Sequence, residues 1–284
     1  MMHPSIASGN VAVITGGASG IGLAAAQRFA TLGLKVVIAD IGTARLEVAK
    51  AAIWTETPEA DILAVVTDVS QRDAVERLEQ EARATFGQVD ILMNNAGVGG
   101  KSDAFGLLDN WQNVLGVNLW GVIHGTQVFA PNMIAQGTPG LIINTGSKQG
   151  ITLPPGNPAY NVSKAAVKAF SESLEHQLRN TPDCQIRAHL LIPGFVFTGM
   201  TGEGGAKPEE KPSGAWTSDQ LIDFMLESIN SGDFYILCPD NDVTRELDEK
   251  RMQWAMGDLI ENRPPLSRWH TDYADAFKAF VDTK

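Results

Sequence analysis

Apolar residues along this chain fall into short unbroken runs, each followed by a longer stretch in which they recur every three or four positions. A short run bounded by polar or turn residues predicts a strand buried on both faces, and the longer spacing predicts an amphipathic helix. Seven strands are predicted, at 11–15, 35–39, 62–66, 89–93, 141–143, 186–192 and 234–238. Helices are predicted between them at 23–32, in a stretch reaching Phe86, at 110–135 and at 159–179. This alternation predicts a doubly wound α/β fold, with a seven-stranded parallel sheet flanked by helices.

Local signals set several boundaries. Asn157 is placed to cap the helix at 159–179, Pro158 suits its first position, and Pro182 ends it. Tyr160 and Lys164, four residues apart, share one face of that helix. Val162, Ala166 and Ala169 lie roughly opposite and are predicted to pack inward while the pair faces a cleft. Ser70 with Asp73 predicts a cap for the helix that reaches Phe86. Beyond 238 the chain predicts a C-terminal helical extension: a helix at 242–261, a break at Pro264-Pro265, and a second helix at 272–281.

Composition narrows the class. At 284 residues and 44% hydrophobic content the chain can bury one large core, and no linker divides it. A single domain over 1–284 is expected, with 1–238 as its core and 239–284 as an extension of it. A formal charge of -11 argues against a nucleic-acid or anionic-membrane partner and leaves small molecules. Residues 1–10 lack the basic and apolar regions of a leader, and no apolar run nears the ~20 residues that span a bilayer, so a cytoplasmic protein is expected. Cys184 and Cys238 lack metal-ligand spacing and are expected to be buried reduced thiols, with no metal site.

Candidate chemistry gathers where predicted strands end. The first strand breaks into Gly16-Gly17-Ala18-Ser19-Gly20-Ile21-Gly22 before a helix. Such a turn lets backbone N–H groups approach a pyrophosphate at the positive end of the helix. The second strand ends at Asp40, 18 residues past Gly22, where a carboxylate can accept both ribose hydroxyls of an adenosine and repel a 2′-phosphate. NAD is thereby favoured over NADP, with Arg45 as the feature that softens the discrimination. The fourth strand runs into Asn94-Asn95-Ala96-Gly97, small enough for close approach to a flat ligand, and Asn118 lies inside a predicted helix. Tyr160 beside Lys164 is a proton-transfer device: moving a phenol from about 10 to about 7 needs roughly 4 kcal/mol of preference for the phenolate, which a nearby positive charge supplies. Ser147, just past the fifth strand, can hold a carbonyl or alcohol oxygen near that phenol.

Together these segments resemble the short-chain dehydrogenase/reductase family over about 11–238. The turn from Thr15 to Gly22 is similar to its cofactor loop, Asp68 with Val69 to its adenine contact, and Asn94 to Gly97 to its strand-four motif. Tyr160-Asn-Val-Ser-Lys164 resembles its catalytic pair, Ser147 and Asn118 match its serine and helix asparagine, and Pro193-Gly194-Phe-Val196-Phe-Thr198 resembles the segment that closes over nicotinamide. The resemblance implies a Rossmann fold and hydride exchange between NAD and a secondary alcohol or ketone. It implies Tyr160 as acid or base, Lys164 lowering its pKa and binding the nicotinamide ribose, Ser147 orienting the substrate oxygen, and Asn118 holding a relay water. It also implies a homo-oligomer, a tetramer or dimer. An NADPH-preferring reductase and a nucleotide-sensing regulatory protein without turnover are the alternatives, and retention of Ser147, Tyr160 and Lys164 speaks against the second.

The substrate side is less defined. Residues 195–216, rich in Gly and Pro and carrying the charged stretch 207–211, are expected to form a mobile lid. Phe195, Phe197, Val98, Ile151 and Leu153 predict a largely apolar pocket, while Lys148 and Lys101 leave open an acidic group on the substrate. The tail, with Trp254, Trp269, Tyr273, Phe277 and Phe280, has three placements open to it: over the pocket of its own subunit, across to a neighbour, or as padding on the core.

Overall fold

Strand β1 (Val11–Thr15) is buried at every position, and its side chains alternate between two cores: Ala12 and Ile14 face one, Val11 and Val13 the other. That is why its run is apolar throughout and not alternating. The structure, a computed structural model, describes residues 2–198 and 211–283. From β1 the chain continues through α1 (Gly20–Thr31), β2 (Lys35–Asp40), α2 (Thr43–Glu56), β3 (Ile62–Val66), α3 (Arg72–Phe86) and β4 (Ile91–Asn94). Then follow α4 (Leu108–Leu115), a π-helical turn (Gly116–Trp120), α5 (Gly121–Ala135), β5 (Gly140–Thr145), a short α6 (Gln149–Thr152), α7 (Pro158–Arg179) and β6 (Ile186–Ile192). The last elements are α8 (Ser218–Ser231), β7 (Tyr235–Leu237), α9 (Arg245–Ile260), two 3-10 turns, and α10 (Ala274–Asp282).

All seven strands are parallel, in the order β3-β2-β1-β4-β5-β6-β7. This is the Rossmann-type doubly wound sheet that the alternation predicts. One core packs α1, α2 and α8 against the sheet through Phe29, Leu46, Ile53 and Met225, and the other packs α3, α5 and α7 through Leu78, Phe129, Met133 and Leu178. Burying each such side chain contributes about 1.5–3 kcal/mol, so the two covered faces dominate the fold's stability. The strand order reverses between β1 and β4, where ligands bind outside the carboxyl ends in folds of this kind.

Several boundaries differ from the sequence-based expectation. Asn157 precedes α7 but caps no amide; the Ala159 N–H donates instead to the Ser102 hydroxyl, at 3.0 Å, which itself donates to Asn157 Oδ1 at 2.6 Å. The buried face of α7 carries Asn161, Ser163, Lys164 and Val167, whereas Val162 and Ala169 are exposed and Ala166 half-buried. A 3.6-residue period fixes which residues share a face but not which face turns inward, and here the lysine side does. Ser70 does not cap α3: Gln71 precedes it, Asp68 Oδ1 accepts from the Ser70 amide and hydroxyl, and Asp73 pairs with Arg77. The predicted helix at 110–135 is α4, the π turn and α5 in succession. Cys238 is buried, Cys184 half-buried, and both are free thiols. Of the predicted lid, 199–210 lies outside the described residues; its two ends meet where the Phe197 N–H donates to Trp216 O and the Trp216 N–H to Phe195 O, both at 2.9 Å. No helix of the described residues is long and apolar enough to cross a membrane.

Candidate active site

A cleft of about 380 Å³ opens at the carboxyl edge of the sheet, over the point where the strand order reverses. Gly16, Ser19, Gly20 and Ile21 form one wall at the start of α1. No side chain caps that helix and no acidic residue lies in its first turn, so its positive end is left for an anion. Gly16 has φ +64°, and a Cβ there would stand 2.9 Å from Ala96 Cα; one on Gly22 would stand 2.2 Å from Gly16 O. The turn therefore closes against the end of β4 as only glycine allows. Asn95 stitches this approach, its side-chain amide donating to Thr15 O at 3.0 Å while its N–H donates to Thr15 Oγ1 at 2.9 Å. Ala18 alone of the predicted cofactor set packs into the core and not the cleft.

Asp40 and Asp68 with Val69 line one end of the cleft, and Asn95, Ala96 and Gly97 the middle. Asp40 is only 9% exposed, and its Oδ1 accepts from Arg45 at 2.9 Å. At the opposite end stand Ser147, Tyr160 and Lys164, roofed by Pro193, Gly194, Val196 and Thr198. These donors, amides and carboxylate fit a nicotinamide dinucleotide: a glycine turn for the pyrophosphate, Asp40 for a ribose, and Lys164 beside Tyr160 for the reacting ring's neighbourhood.

Ser147 lies between β5 and α6, with its carbonyl accepting from the Gly150 N–H at 2.9 Å. Gly150 lets α6 rest on α7, since a Cβ there would stand 2.5 Å from the Lys164 carbonyl carbon. Burial pushes the Tyr160 phenol above its usual range, and a hydrogen bond with Ser147 offsets part of that rise. Burial also pulls the Lys164 ammonium down to about 8. Its Nζ donates to Thr145 O at 2.8 Å and lies 5.7 Å from the Tyr160 ring centroid. In the free protein desolvation is thus the larger influence on the phenol, and the lysine charge is held on a carbonyl.

Asn118 sits in the π turn, fully buried. Its Oδ1 accepts from the Val98 N–H at 2.8 Å, and its Nδ2 donates to Val98 O at 3.0 Å and to Ser163 Oγ at 3.2 Å. Both amide hydrogens are therefore committed to protein, and the side chain joins the β4 exit to α7 where the family resemblance implies a water. Of the apolar residues expected around substrate, Val98 lines the cleft, Ile151 packs into a small core with Met252, and Leu153 and Phe195 are exposed. Residues without a signal in the sequence also serve the site. Thr145 supplies the carbonyl, Ser163 and Ser102 position α7, and Asn113 and Val117 line the cleft.

The tail docks beside Ser147. Helix α9 packs on α6, and Met252 joins Val122, Val167, Leu190 and Leu237. Lys148 meets two tail carboxylates, Asp240 at 3.4 Å and Asp248 at 2.5 Å. The second half of the tail packs behind α9 around Trp254, which meets Phe277 edge to face and Phe280 at a tilt and carries the Arg263 guanidinium over its ring. The tail thus packs on the body of the same chain, with one helix near the site and the rest buttressing that helix.

Fold and cleft are those of a doubly wound α/β protein with a tyrosine–lysine pair at one end of the cleft. The chain belongs to the short chain dehydrogenase family, whose model matches residues 10–209, and is thereby an oxidoreductase of the nicotinamide-using kind. It is 35% identical over 211 residues to a 3beta-hydroxysteroid dehydrogenase 2 of Eggerthella lenta, covering 74% of this chain and 79% of that protein. A short chain dehydrogenase/reductase from Burkholderia phymatum, solved in complex with NAD, superposes with a TM-score of 0.81 at 33% identity, covering 91% of this chain and 96% of that one. An alcohol dehydrogenase from Thermococcus sibiricus, complexed with 5-hydroxy-NADP, superposes with a TM-score of 0.69 at 27% identity, covering 78% and 90%.

The buried Lys164 yields a stability test. Lowering an ammonium from 10.5 to about 8 costs the free protein on the order of 3 kcal/mol at neutral pH, whereas orphaning Thr145 O costs about 1–3 kcal/mol. Lys164→Met should therefore unfold in urea at a midpoint no lower than the parent's at pH 7. The parent should gain stability between about pH 8 and 10.5, where the unfolded chain still binds the proton that the folded one has lost. A midpoint clearly below the parent's at pH 7 would show the ammonium to be a net stabiliser.

Proposed function

We propose that this protein is an NAD-dependent dehydrogenase exchanging a hydride between nicotinamide and a neutral, largely apolar secondary alcohol or its ketone. The observation that carries this reading is the convergence of Ser147, Tyr160 and Lys164 at one end of a cleft whose other end holds Asp40. The bound nicotinamide supplies the hydride acceptor or donor. The Ser147 hydroxyl holds the substrate oxygen beside the Tyr160 phenol, which takes the alcohol proton in oxidation and returns one to the ketone oxygen in reduction. Tyr160 is neutral in the free protein, ready to act as the acid. Acting as base requires the positive charge of Lys164, whose ammonium titrates near 8 and donates to Thr145 O. Asn118 and Ser163 keep α7 aligned with the β4 exit, so the pair stays registered to the cleft. Residues 239–284 belong to the same domain in this reading, since α9 shares a core with β6, β7 and α7.

Substrate charge follows from Lys148. Its ammonium is engaged by Asp240 and Asp248, so Lys148 is not available to an acidic substrate. A panel of a 3β-hydroxysteroid, 2-octanol, 1-phenylethanol and 3-hydroxybutyrate, followed by NADH absorbance, tests this. Fastest turnover of 3-hydroxybutyrate would overturn the neutral-substrate reading. A NADP-using enzyme is the second reading, favoured by one observation: the half-exposed Arg45 guanidinium at Asp40 suits a 2′-phosphate.

Tyr160→Phe should lower kcat by about 10²- to 10⁴-fold while leaving NAD affinity nearly intact, because it removes the proton and little binding surface. A loss within tenfold would assign proton transfer to another group. Asp40→Ala should narrow the gap between the cofactors, measured as the ratio of kcat/KM with NAD and NADP; a parent that already prefers NADP would refute the role given to Asp40. Self-association belongs to the same proposal, since Leu108 on α4, Trp120 beside α5 and Val162 on α7 expose apolar surface. Light scattering at micromolar concentration should give a mass of two or four chains, and a monomer mass would exclude it.

A further inference from the structure

Lys148 follows Ser147, and its side chain turns away from the cleft into a nearly dry cluster: Lys148 is 17% exposed, Asp240 6% and Asp248 7%. Asp240 leaves β7 and binds with both oxygens. Its Oδ1 accepts from the Val243 N–H at 2.8 Å and the Asp242 N–H at 3.2 Å, which folds the start of the tail back. Its Oδ2 meets Lys148 Nζ at 3.4 Å and accepts from the Phe195 N–H at 3.2 Å, on the segment that roofs the cleft. Gly194 lies directly against this contact, where a Cβ would stand 2.7 Å from Asp240 Oδ2 and 2.8 Å from Lys148 Nζ. The Lys148 N–H also donates to Pro193 O at 3.2 Å. Asp248, on α9, brings a second carboxylate to the same ammonium, and the Arg251 guanidinium stands 3.9 Å from its Oδ1. One buried lysine therefore holds three segments: the serine loop, the roof at Pro193–Phe195, and the tail.

We propose that Asp240 and Asp248 are positioning residues, which act through Lys148 to hold Ser147 and the Pro193–Phe195 roof in register across the reacting end of the cleft. Two carboxylates meet the ammonium, and one of them, Asp248, also faces the Arg251 guanidinium, so each charge in the cluster has an opposite partner. Its effect is geometric. Ser147 is one residue from the tie, and a displacement of about 1 Å at a reacting group can cost 10²-fold in rate. Asp248 thereby links the docking of α9 to the geometry at Ser147, giving a segment outside the cleft a part in turnover. This rests on the dehydrogenase reading of the same site, and the two are separable by experiment.

The test is a double-mutant cycle of Asp248→Asn and Lys148→Met, with two readouts. The first is backbone hydrogen exchange in the free protein, which needs neither cofactor nor turnover. Exchange should rise in peptides covering 146–152 and 193–198 and stay at parent level in β1, β2 and β4. The second is kcat, normalised to NADH-binding sites, with whichever of the four panel alcohols the parent oxidises fastest. Asp248→Asn should lower kcat at least tenfold with KM for NAD within twofold, and the double variant should be no slower than the slower single. Unchanged exchange in both segments, kcat within twofold of the parent, or losses that multiply in the double variant would each overturn the proposal and leave the cluster a strut. If Lys148→Met does not fold, Asp240→Asn takes its place in the cycle under the same thresholds. Should the parent oxidise none of the four alcohols while exchange still rises locally in the variants, the tie stands and the dehydrogenase reading fails.

Discussion

An ammonium group sealed from solvent on the carbonyl of Thr145 is the constraint around which this structure is arranged. A charge in that position is tolerated only if the helix bearing it is held rigidly, because any slack would either expose it or strand it without a partner. The surrounding contacts meet that requirement. Ser102 fixes the first turn of α7, Gly150 lets α6 lie flat on its middle, and Asn118 reaches across to Ser163 from a turn wound more widely than an α-helix. The π turn has its own logic here. It lets α4 and α5 continue as one rod while turning a polar side chain into the interior, where a regular helix would place it differently.

Much of this arrangement is legible in the amino-acid sequence. Runs such as 11–15 and 186–192 are apolar throughout because helices cover both faces of the sheet, so the strands announce themselves by length and composition. Glycines at 16 and 22 are readable because a close backbone approach admits nothing larger. What stays hidden depends on which loops meet. A main-chain carbonyl such as that of Thr145 has no sequence signature. Ser102 caps α7 from more than fifty residues upstream, where a search confined to neighbours turns to Asn157. The inward face of α7 is misassigned by periodicity because small polar residues, Asn161 and Ser163, fill places where apolar ones are expected.

The tail illustrates a different limit. Its aromatic content announces a need for burial but not the partner. In the structure most of that content is satisfied internally, as Trp254 gathers Phe277, Phe280 and Arg263 and donates its indole N–H to Ser267. Toward the body of the protein the tail presents Met252, Asn241, whose side-chain amide donates to the Ser213 and Ala215 carbonyls, and the acidic groups that meet Lys148. A segment can thus be largely self-contained and still touch the site at its most sensitive place.

The hydrogen bonds of Ser102 have a consequence for how such a protein can change its diet. The loop after β4 lines the cleft at its start and, through Ser102, bonds the first turn of the helix that carries Tyr160 and Lys164. Its residues are therefore unequal as raw material for adaptation. Lys101 and Phe105 are exposed, whereas Ser102 is anchored to the start of the helix that carries Tyr160 and Lys164. A single serine thus ties the length and path of this loop to the first turn of the helix it faces.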